Sequence, residues 1–493
     1  MTDRLRGAVP TAAGALALVG LIASAATLAL GPAVVPILLV PFVAVALLSS
    51  AAYIVSRIDP AWTLSAALFA SLFNGNWGEL GLPDLVAPDR LLLLAGVTAV
   101  LLRALERGGD PALTIRPVHW VLLAASLYTV GSAIAVQSLG EHSPQFRLVD
   151  RLGLAPFALF FVAPAAFSGP RQRAVLLGML VVVGGYLGLT ALFETIGLDA
   201  LVWPKYILDS SYGIHFGRAR GPFAEAAANG LVMFACGVAS TIAVLTWRRP
   251  WARTAAASVA LLCILGILLS LSRSAWVGSM VATVVTLLAF RELRRYLWLA
   301  AATAGLVVGM ALIIVPGLSE SAEARRDQEQ TVWDRGNSNR AALLMVAERP
   351  LFGVGWGAFT RQSVDYYRQA DDYPLGEVKA SLIVHNVFIS NAAELGLVGT
   401  TLWVLGLALA IGGSLVPRAP PELRPWRIML LAYASAWLVV VNFSPLVNVL
   451  PNLMLWLFAG LLLAPAHPGR AAPAGATASS EAPAPARPRA HVA

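Results

Sequence analysis

The sequence predicts an all-α polytopic integral membrane protein, with about 12–14 transmembrane helices and one large extracytoplasmic loop containing short helices. Three observations carry this. Of 493 residues, 58% are hydrophobic and only 13% are charged, where a soluble domain has roughly 25% charged residues. The apolar residues fall in runs near 10–30, 33–55, 60–74, 88–104, 117–136, 152–168, 174–197, 224–246, 254–271, 274–290, 296–316, 387–415, 427–443 and 450–465. Crossing a hydrocarbon core takes about 17–25 residues, fewer where the bilayer adapts. The third observation is where the positive charge lies.

Cytoplasmic loops carry an excess of Lys and Arg. Alternating from a cytoplasmic N-terminus, the inside loops hold Arg57; Arg103, Arg107 and Arg116; Arg171 and Arg173; Arg248, Arg249 and Arg253; Arg291, Arg294 and Arg295; and Arg418, Arg424 and Arg427. The tail, with Arg470, Arg487 and Arg489, also falls inside. Every basic cluster lands on one side, so both termini are expected in the cytoplasm. The first run, with Arg4 and Arg6 before it and Ala23-Ser24-Ala25 at its end, has the outline of a signal peptide. A second run follows at once and favours a retained anchor.

The organisation that follows is N-terminal spans over 1–316, an extracytoplasmic loop over 317–384, C-terminal spans over 385–465 and an Ala/Pro-rich tail over 466–493. The tail lacks the apolar content to build a core. The net charge of +8 does not point to nucleic acid, because the arginines sit in short clusters between apolar runs. Cys236 and Cys263 lie inside apolar runs and read as packing residues. No cofactor is expected.

Polar, charged and glycine-rich sequence accumulates between Asn337 and Gly399. Asn337-Ser338-Asn339 are good capping residues, so a short amphipathic helix carrying Arg340, Leu343 and Leu344 should follow and stop at Pro350. Next comes Gly353-Val354-Gly355-Trp356-Gly357, where alternate glycines permit tight turns or close approach. No strand precedes them, which argues against a nucleotide loop. His385 and Asn386 lie where the loop meets a long apolar run. The positive end of a helix beginning there favours a neutral imidazole. Asn386, Ser390 and Glu394, four apart, share one face of that helix.

Arg147, Arg151, Lys205, Arg218, Arg220, Arg273 and Arg340 fall on the outer side, against the topological bias, and need a local reason. Snorkelling to headgroups accounts for one such arginine. Several arginines and a histidine on one face suit a lipid-linked diphosphate. The guanidinium fork matches phosphate oxygens, and a neutral imidazole can take a proton from an attacking hydroxyl. Neither HExxH nor paired DxD occurs in the outer loops, so the arginines would stabilise the leaving group themselves.

These motifs resemble the O-antigen ligase and polymerase superfamily. The matching stretches are GRARGPF (217–223) with Asn229 after it, SRSA (272–275), the Arg340 helix leading to RPLFGVGWGAF (349–359), and HNVFISNAAELGLVG (385–399). The resemblance implies a membrane glycosyltransferase that moves a glycan from an undecaprenyl diphosphate carrier to an acceptor on the outer face, without metal. The acceptor implied is lipid A-core or another surface lipid or glycan, with membrane lipids as the remaining partner. By the resemblance, Arg218 and Arg273 hold the diphosphate and His385 activates or orients the acceptor, the three forming the catalytic set. Arg220, Arg340, Asn386, Glu394, Gly353 and Gly355 are expected to bind substrate. The sequence departs from the family pattern at Arg220, at Ala226 to Ala228 and at Trp356. A polymerase or an O-linked protein oligosaccharyltransferase would use the same chemistry on another acceptor. A flippase or transporter would instead place its polar residues near mid-membrane.

Overall fold

In the computed structural model the described residues are 57–82, 87–213, 216–298, 329–367, 383–416 and 420–463, with a few helical positions between 301 and 309. The expected spans at 10–30 and 33–55, most of that at 296–316, and the tail 466–493 lie outside them. So do the ends of the large loop at 317–328 and 368–382.

Proline opens helix after helix, with its fixed φ and its missing N–H placed where no intrahelical bond is lost. It starts α1 (Pro60–Ala70), α2 (Pro88–Glu106) and α3 (Pro117–Ala135). The short α4 (His142–Phe146) and a π-helical turn (Arg147–Leu152) lead into α5 (Leu154–Ala166). Proline again opens α6 (Pro170–Ile196) and, after α7 (Ala226–Thr246), α8 (Pro250–Leu269). Then come α9 (Arg273–Ala289), α10 (Glu329–Glu348), α11 (Phe359–Gln362), α12 (Val387–Leu415), α13 (Arg424–Val440) and α14 (Val449–Leu462). Every span expected between residues 60 and 290 and between 387 and 465 falls on a helix, and no strand occurs among the described residues.

Six of these helical segments, Pro117–Ala135, Ser143–Ala166, Pro170–Ile196, Ala226–Thr246, Pro250–Leu269 and Val387–Leu415, are long and apolar enough to cross a membrane. The bundle is inside-out by soluble standards. Leu94, Trp120, Leu127, Val182, Leu245, Leu261 and Met280 are exposed on the helices that also supply the core, as expected when lipid is the surrounding solvent. At the centre stands α14, every residue of which is buried. It packs against α5, α12 and α13. An apolar helix that touches protein all round is a core helix, so α14 is enclosed rather than lipid-facing.

One end of the bundle is basic. Arg103 donates to the Ile58 carbonyl at 2.8 Å, Arg116 to the Leu463 carbonyl at 2.6 Å, Arg427 to the Leu415 carbonyl, and Arg424 pairs with Glu292. Loops that the sequence assigns to one side therefore do meet. Trp62, Trp120 and Trp251 are exposed within the first turn of helices that start at this end. Indoles at that level are the usual headgroup anchors.

The apolar run at 387–415, expected as one continuous span, is broken. At Gly396 (φ 63°, ψ −171°) the backbone leaves the helix. Phe388 and Trp403 would sit roughly 22 Å apart along a straight helix, yet their ring centroids are 5.5 Å apart. The chain bends sharply, leaving a short helix at 387–395 and a longer segment at 397–415. The backbone groups freed at the break are taken up by the glycine loop. Val354 and Gly355 N–H donate to the Ala393 and Glu394 carbonyls at 2.8 and 2.9 Å, and Leu397 and Val398 N–H donate to the Pro350 and Leu351 carbonyls at 2.8 and 3.2 Å.

This junction tolerates no side chain. A Cβ on Gly396 would lie 2.3 Å from the Leu351 carbonyl oxygen, and one on Gly353 would lie 2.6 Å from that of Ala393. The Gly396 conformation is essentially reserved for glycine, and another residue there costs at least ~1–3 kcal/mol before the clash. Gly396→Ala is expected to lower the thermal midpoint of the detergent-solubilised protein clearly. An unchanged midpoint would show that the break is not held by this contact.

Candidate functional site

The end of the bundle opposite the basic loops gathers the polar segments, and it is built from three pieces.

The first piece is the loop at 216–225. Its Ala219 N–H donates to the Leu269 carbonyl at 3.1 Å, and the Asn229 side chain donates to the Ala219 carbonyl at 2.9 Å. The GRARGPF loop is thereby pinned beside the turn that carries Arg273. Arg220 is fully buried, and its Nε, Nη1 and Nη2 donate to the carbonyls of Ile207, Tyr212 and Asp209. Glu194 accepts the N–H groups of Arg220 and Gly221 at 3.3 and 3.4 Å. Arg220, expected to bind substrate, is therefore an internal brace, its fork occupied by loop carbonyls. Arg218, next to it, is half-buried and already interacts within the protein. Arg273 is the first residue of α9, exposed, and without a hydrogen-bond partner among the described residues. A cation at a helix N-terminus works against the macrodipole, and an anion placed there would relieve both charges.

The second piece is α10. It begins at Glu329, well before the Asn337-Ser338-Asn339 cluster expected to cap it, so those residues lie within the helix. Ser338 instead bonds back to the Arg335 carbonyl at 3.1 Å. Ala342 and Met345 are buried against Val354, Val384 and Ala393, which seats α10 over the chain leading into α12. Arg335, Asn339 and Ala342 recur at i, i+4 and i+7, one stripe of the helix. Arg335 thus faces the α12 entry, where its Nε is buried and unpartnered, as is Oδ1 of Asn339. Burial and the charge of Arg273 both push the Arg335 pKa down. Arg340 lies five residues on, about 140° around the helix, and is exposed. The sequence reading singled out Arg340 and passed over Arg335. The available signal was the spacing of Arg335 from the small and apolar residues at 338, 342 and 345.

The third piece is the entry to α12. Asn386 is the N-cap: its Oδ1 accepts from the Ile389 N–H at 3.0 Å, while its amide donates to Asn442 at 3.0 Å. Val387 N–H donates to the Val441 carbonyl at 2.9 Å, tying this entry to the end of α13. The α13 helix packs along α9, with the Ala436 carbonyl close to Gly278, which brings the start of α9 to the same end. Asn386 therefore positions its neighbour His385 from within the protein framework. His385 is half-buried, with Nδ1 buried and unpartnered. Burial first, and the Arg335 charge second, push its pKa down to about 4, against a backbone hydrogen bond at Ile383 that raises it. The ring is neutral at pH 7.

Glu394 and the glycines have other work. Glu394 is buried and receives both Nη atoms of Arg147 at 3.0 and 2.5 Å. The Arg147 guanidinium also lies 4.5 Å from the centroid of the Trp356 ring. This gives a local reason for Arg147, which the charge bias disfavours on the side where the sequence expects it. Trp356 is fully buried, with its Nε1 donating to the Pro144 carbonyl at 3.1 Å and its own carbonyl accepting from Ser138 at 2.6 Å. Gly353 and Gly355 give their N–H groups to Arg349 and Glu394 carbonyls. So Glu394, Gly353 and Gly355, expected at the substrate, hold the loop against the broken helix. Breaking a buried pair by removing one partner typically costs ~3–5 kcal/mol. Arg147→Ala is expected to show a loss of that order in stability. Denaturation unchanged from wild type would mean the pair is water-screened.

Among the described residues no three His, Cys, Asp or Glu side chains converge as a metal site would require. Arg335 instead lies within electrostatic reach of both Arg273 and the neutral His385, and its Nε and the His385 Nδ1 are buried without hydrogen-bond partners among the described residues.

Residues 258–404 match the family model described as O-antigen ligase. The match runs from within α8 through the start of the longer part of α12, so it covers Arg273, Arg335, the glycine loop and His385. Over this segment the chain is similar to the O-antigen ligase family. No curated protein matches the chain.

Proposed function

We propose that the protein is an O-antigen ligase-like glycosyltransferase that moves a glycan from an undecaprenyl diphosphate carrier to a lipid or glycan acceptor, such as lipid A-core. The observation that carries this is the neutral, half-enclosed His385 beside Arg335 and Arg273 at the polar end of a membrane bundle. The arginines take the diphosphate, whose oxygens suit guanidinium forks, and Arg218 borders the same turn through the Ala219–Leu269 bond. His385 accepts the proton of the acceptor hydroxyl as that oxygen bonds to the anomeric carbon. The bond from that carbon to the phosphate oxygen breaks, and the negative charge that develops on the diphosphate is met by the arginines. In this reading Arg335 joins Arg273 at the diphosphate, and Arg340, expected to bind substrate, lies on another face of the same helix. Arg220, Asn386, Glu394, Gly353 and Gly355 shape the site without touching substrate. The test is to supply purified protein with an undecaprenyl diphosphate glycan and separate acceptors. Glycosylation of lipid A-core alone marks a ligase, and lengthening of the carrier-bound glycan marks a polymerase with the same chemistry.

The polar end is placed outside the cytoplasm, since the opposite end holds the Arg clusters. A cysteine at position 361 should react with an impermeant maleimide in spheroplasts, and one at position 108 only after lysis. The reverse pattern would invert the protein. The reaction is proposed to need no metal, so exhaustive chelation should leave transfer intact. A loss restored by Mg²⁺ or Mn²⁺ would contradict that.

A further inference from the structure

The glycine loop carries two large apolar residues that the site does not use. Leu351 is 56% exposed and Phe352 is 66% exposed. They stand at the turn between α10 and Gly353, flanked by the exposed Arg349. A loop in water has no reason to present them together.

Their position fixes what surrounds them. The Leu351 carbonyl accepts from Val398 N–H and the Pro350 carbonyl from Leu397 N–H. Leu397 and Val398 open the longer part of α12 and are themselves exposed, as are Val404, Leu405 and Leu409 further along it. The apolar surface of the tip is thus continuous with the lipid-facing surface of a membrane-crossing helix. Depth can be read from α3. Leu395, next to the break, accepts from the Tyr128 hydroxyl at 2.9 Å. Tyr128 precedes the end of α3 by seven residues, which is roughly 10 Å of helix. The junction gripped by Pro350 and Leu351 therefore sits below the end of a spanning helix.

We propose that Leu351 and Phe352 form a membrane-inserted tip, held among the acyl chains of the leaflet on the His385 side. Arg349, just before the tip, reaches back to the headgroups. Through the backbone bonds at 350–355, the tip fixes the height of the loop against the bilayer. Residues Arg335 and His385, packed to the same loop by the Ala342–Val354–Val384 cluster, are thereby kept at headgroup level. This inference rests on the membrane-spanning reading of the bundle and not on the transfer reaction.

The test uses the full-length protein in phospholipid nanodiscs. Phe352→Cys is labelled with an environment-sensitive fluorophore. The native Cys236 and Cys263 are fully buried, so labelling falls on the new thiol. Leu351→Cys serves as a second position. Arg361→Cys, on the same loop beside Glu141, is the aqueous control. The label at 352 is expected to emit to the blue of the control. It should lose most of its intensity with lipids carrying a doxyl group near the top of the acyl chain, and little with aqueous iodide. The control should behave the opposite way. Iodide quenching at both 351 and 352 would overturn the proposal. Quenching by neither agent would also overturn it, since the tip would then be covered by protein.

Discussion

His385→Ala is expected to slow glycan transfer by about 10²–10⁴-fold, the usual contribution of a positioned general base, while the protein still binds the lipid-linked donor. The ring is held neutral by burial and by Arg335, with its pKa near 4. A base of that strength is unprotonated throughout the physiological range, with its Nδ1 unpartnered. The sign of the pH effect follows. Because the folded value lies below that of a free imidazole, the ring stays competent as the pH falls past 6.5 and is protonated only on approaching about 4. The His385-dependent part of the rate should therefore be flat between neutral pH and pH 5 and fall below it. A titration centred near 6.5 would show that the ring is solvated. His385→Gln separates base from positioning group, since Gln can hydrogen-bond but cannot take the proton. Near wild-type transfer by the Gln variant would make His385 a positioning residue.

The second large effect is expected at Arg335. Its Nε is buried without a partner and its charge faces that of Arg273. Two guanidinium groups brought together at a cost need an anion between them to make the arrangement favourable. Arg335→Ala and Arg273→Ala should each remove most of the transfer rate, by about 10²–10³-fold if each stabilises the departing diphosphate as an oxyanion donor does. The two effects should combine less than additively, because the variants share one ligand. Lysine at either position should restore only part of the rate, since it brings charge without the fork. Arg335→Ala should not unfold the bundle, because removing one of two like charges relieves repulsion. A wild-type rate with either alanine, at matched expression, would remove that arginine from the site.

Much of the fold was legible because it rests on length and charge. The apolar runs from 60 to 290 became helices, and the Arg loops met at one end, because lipid forces backbone groups into helices and charge bias orders the ends. The break at Gly396 was not legible. Hydropathy counts side chains, and the 387–415 run stays apolar across a change that a single backbone conformation produces. His385 and Arg273 stand out in the sequence as candidates, because an ionisable residue there interrupts an apolar context. Arg220, Glu394 and the glycines, expected at the substrate, have partners within the protein. For these, sequence reports that a polar group or a free backbone is present but not whether its partner is protein or ligand. Arg335, which the proposed site adds, lies in the turns before Asn337-Ser338-Asn339, where the capping signal places the helix start but the helix already runs from Glu329.

Arg335 and Arg340 lie on one helix, five residues apart, and only Arg335 faces His385. The most direct test measures glycan moved from an undecaprenyl diphosphate donor by Arg335→Ala and by Arg340→Ala, in nanodiscs at equal protein. Arg335→Ala is expected to lose at least ~10²-fold, with Arg340→Ala close to wild type. Full activity in Arg335→Ala together with loss in Arg340→Ala would contradict the site described.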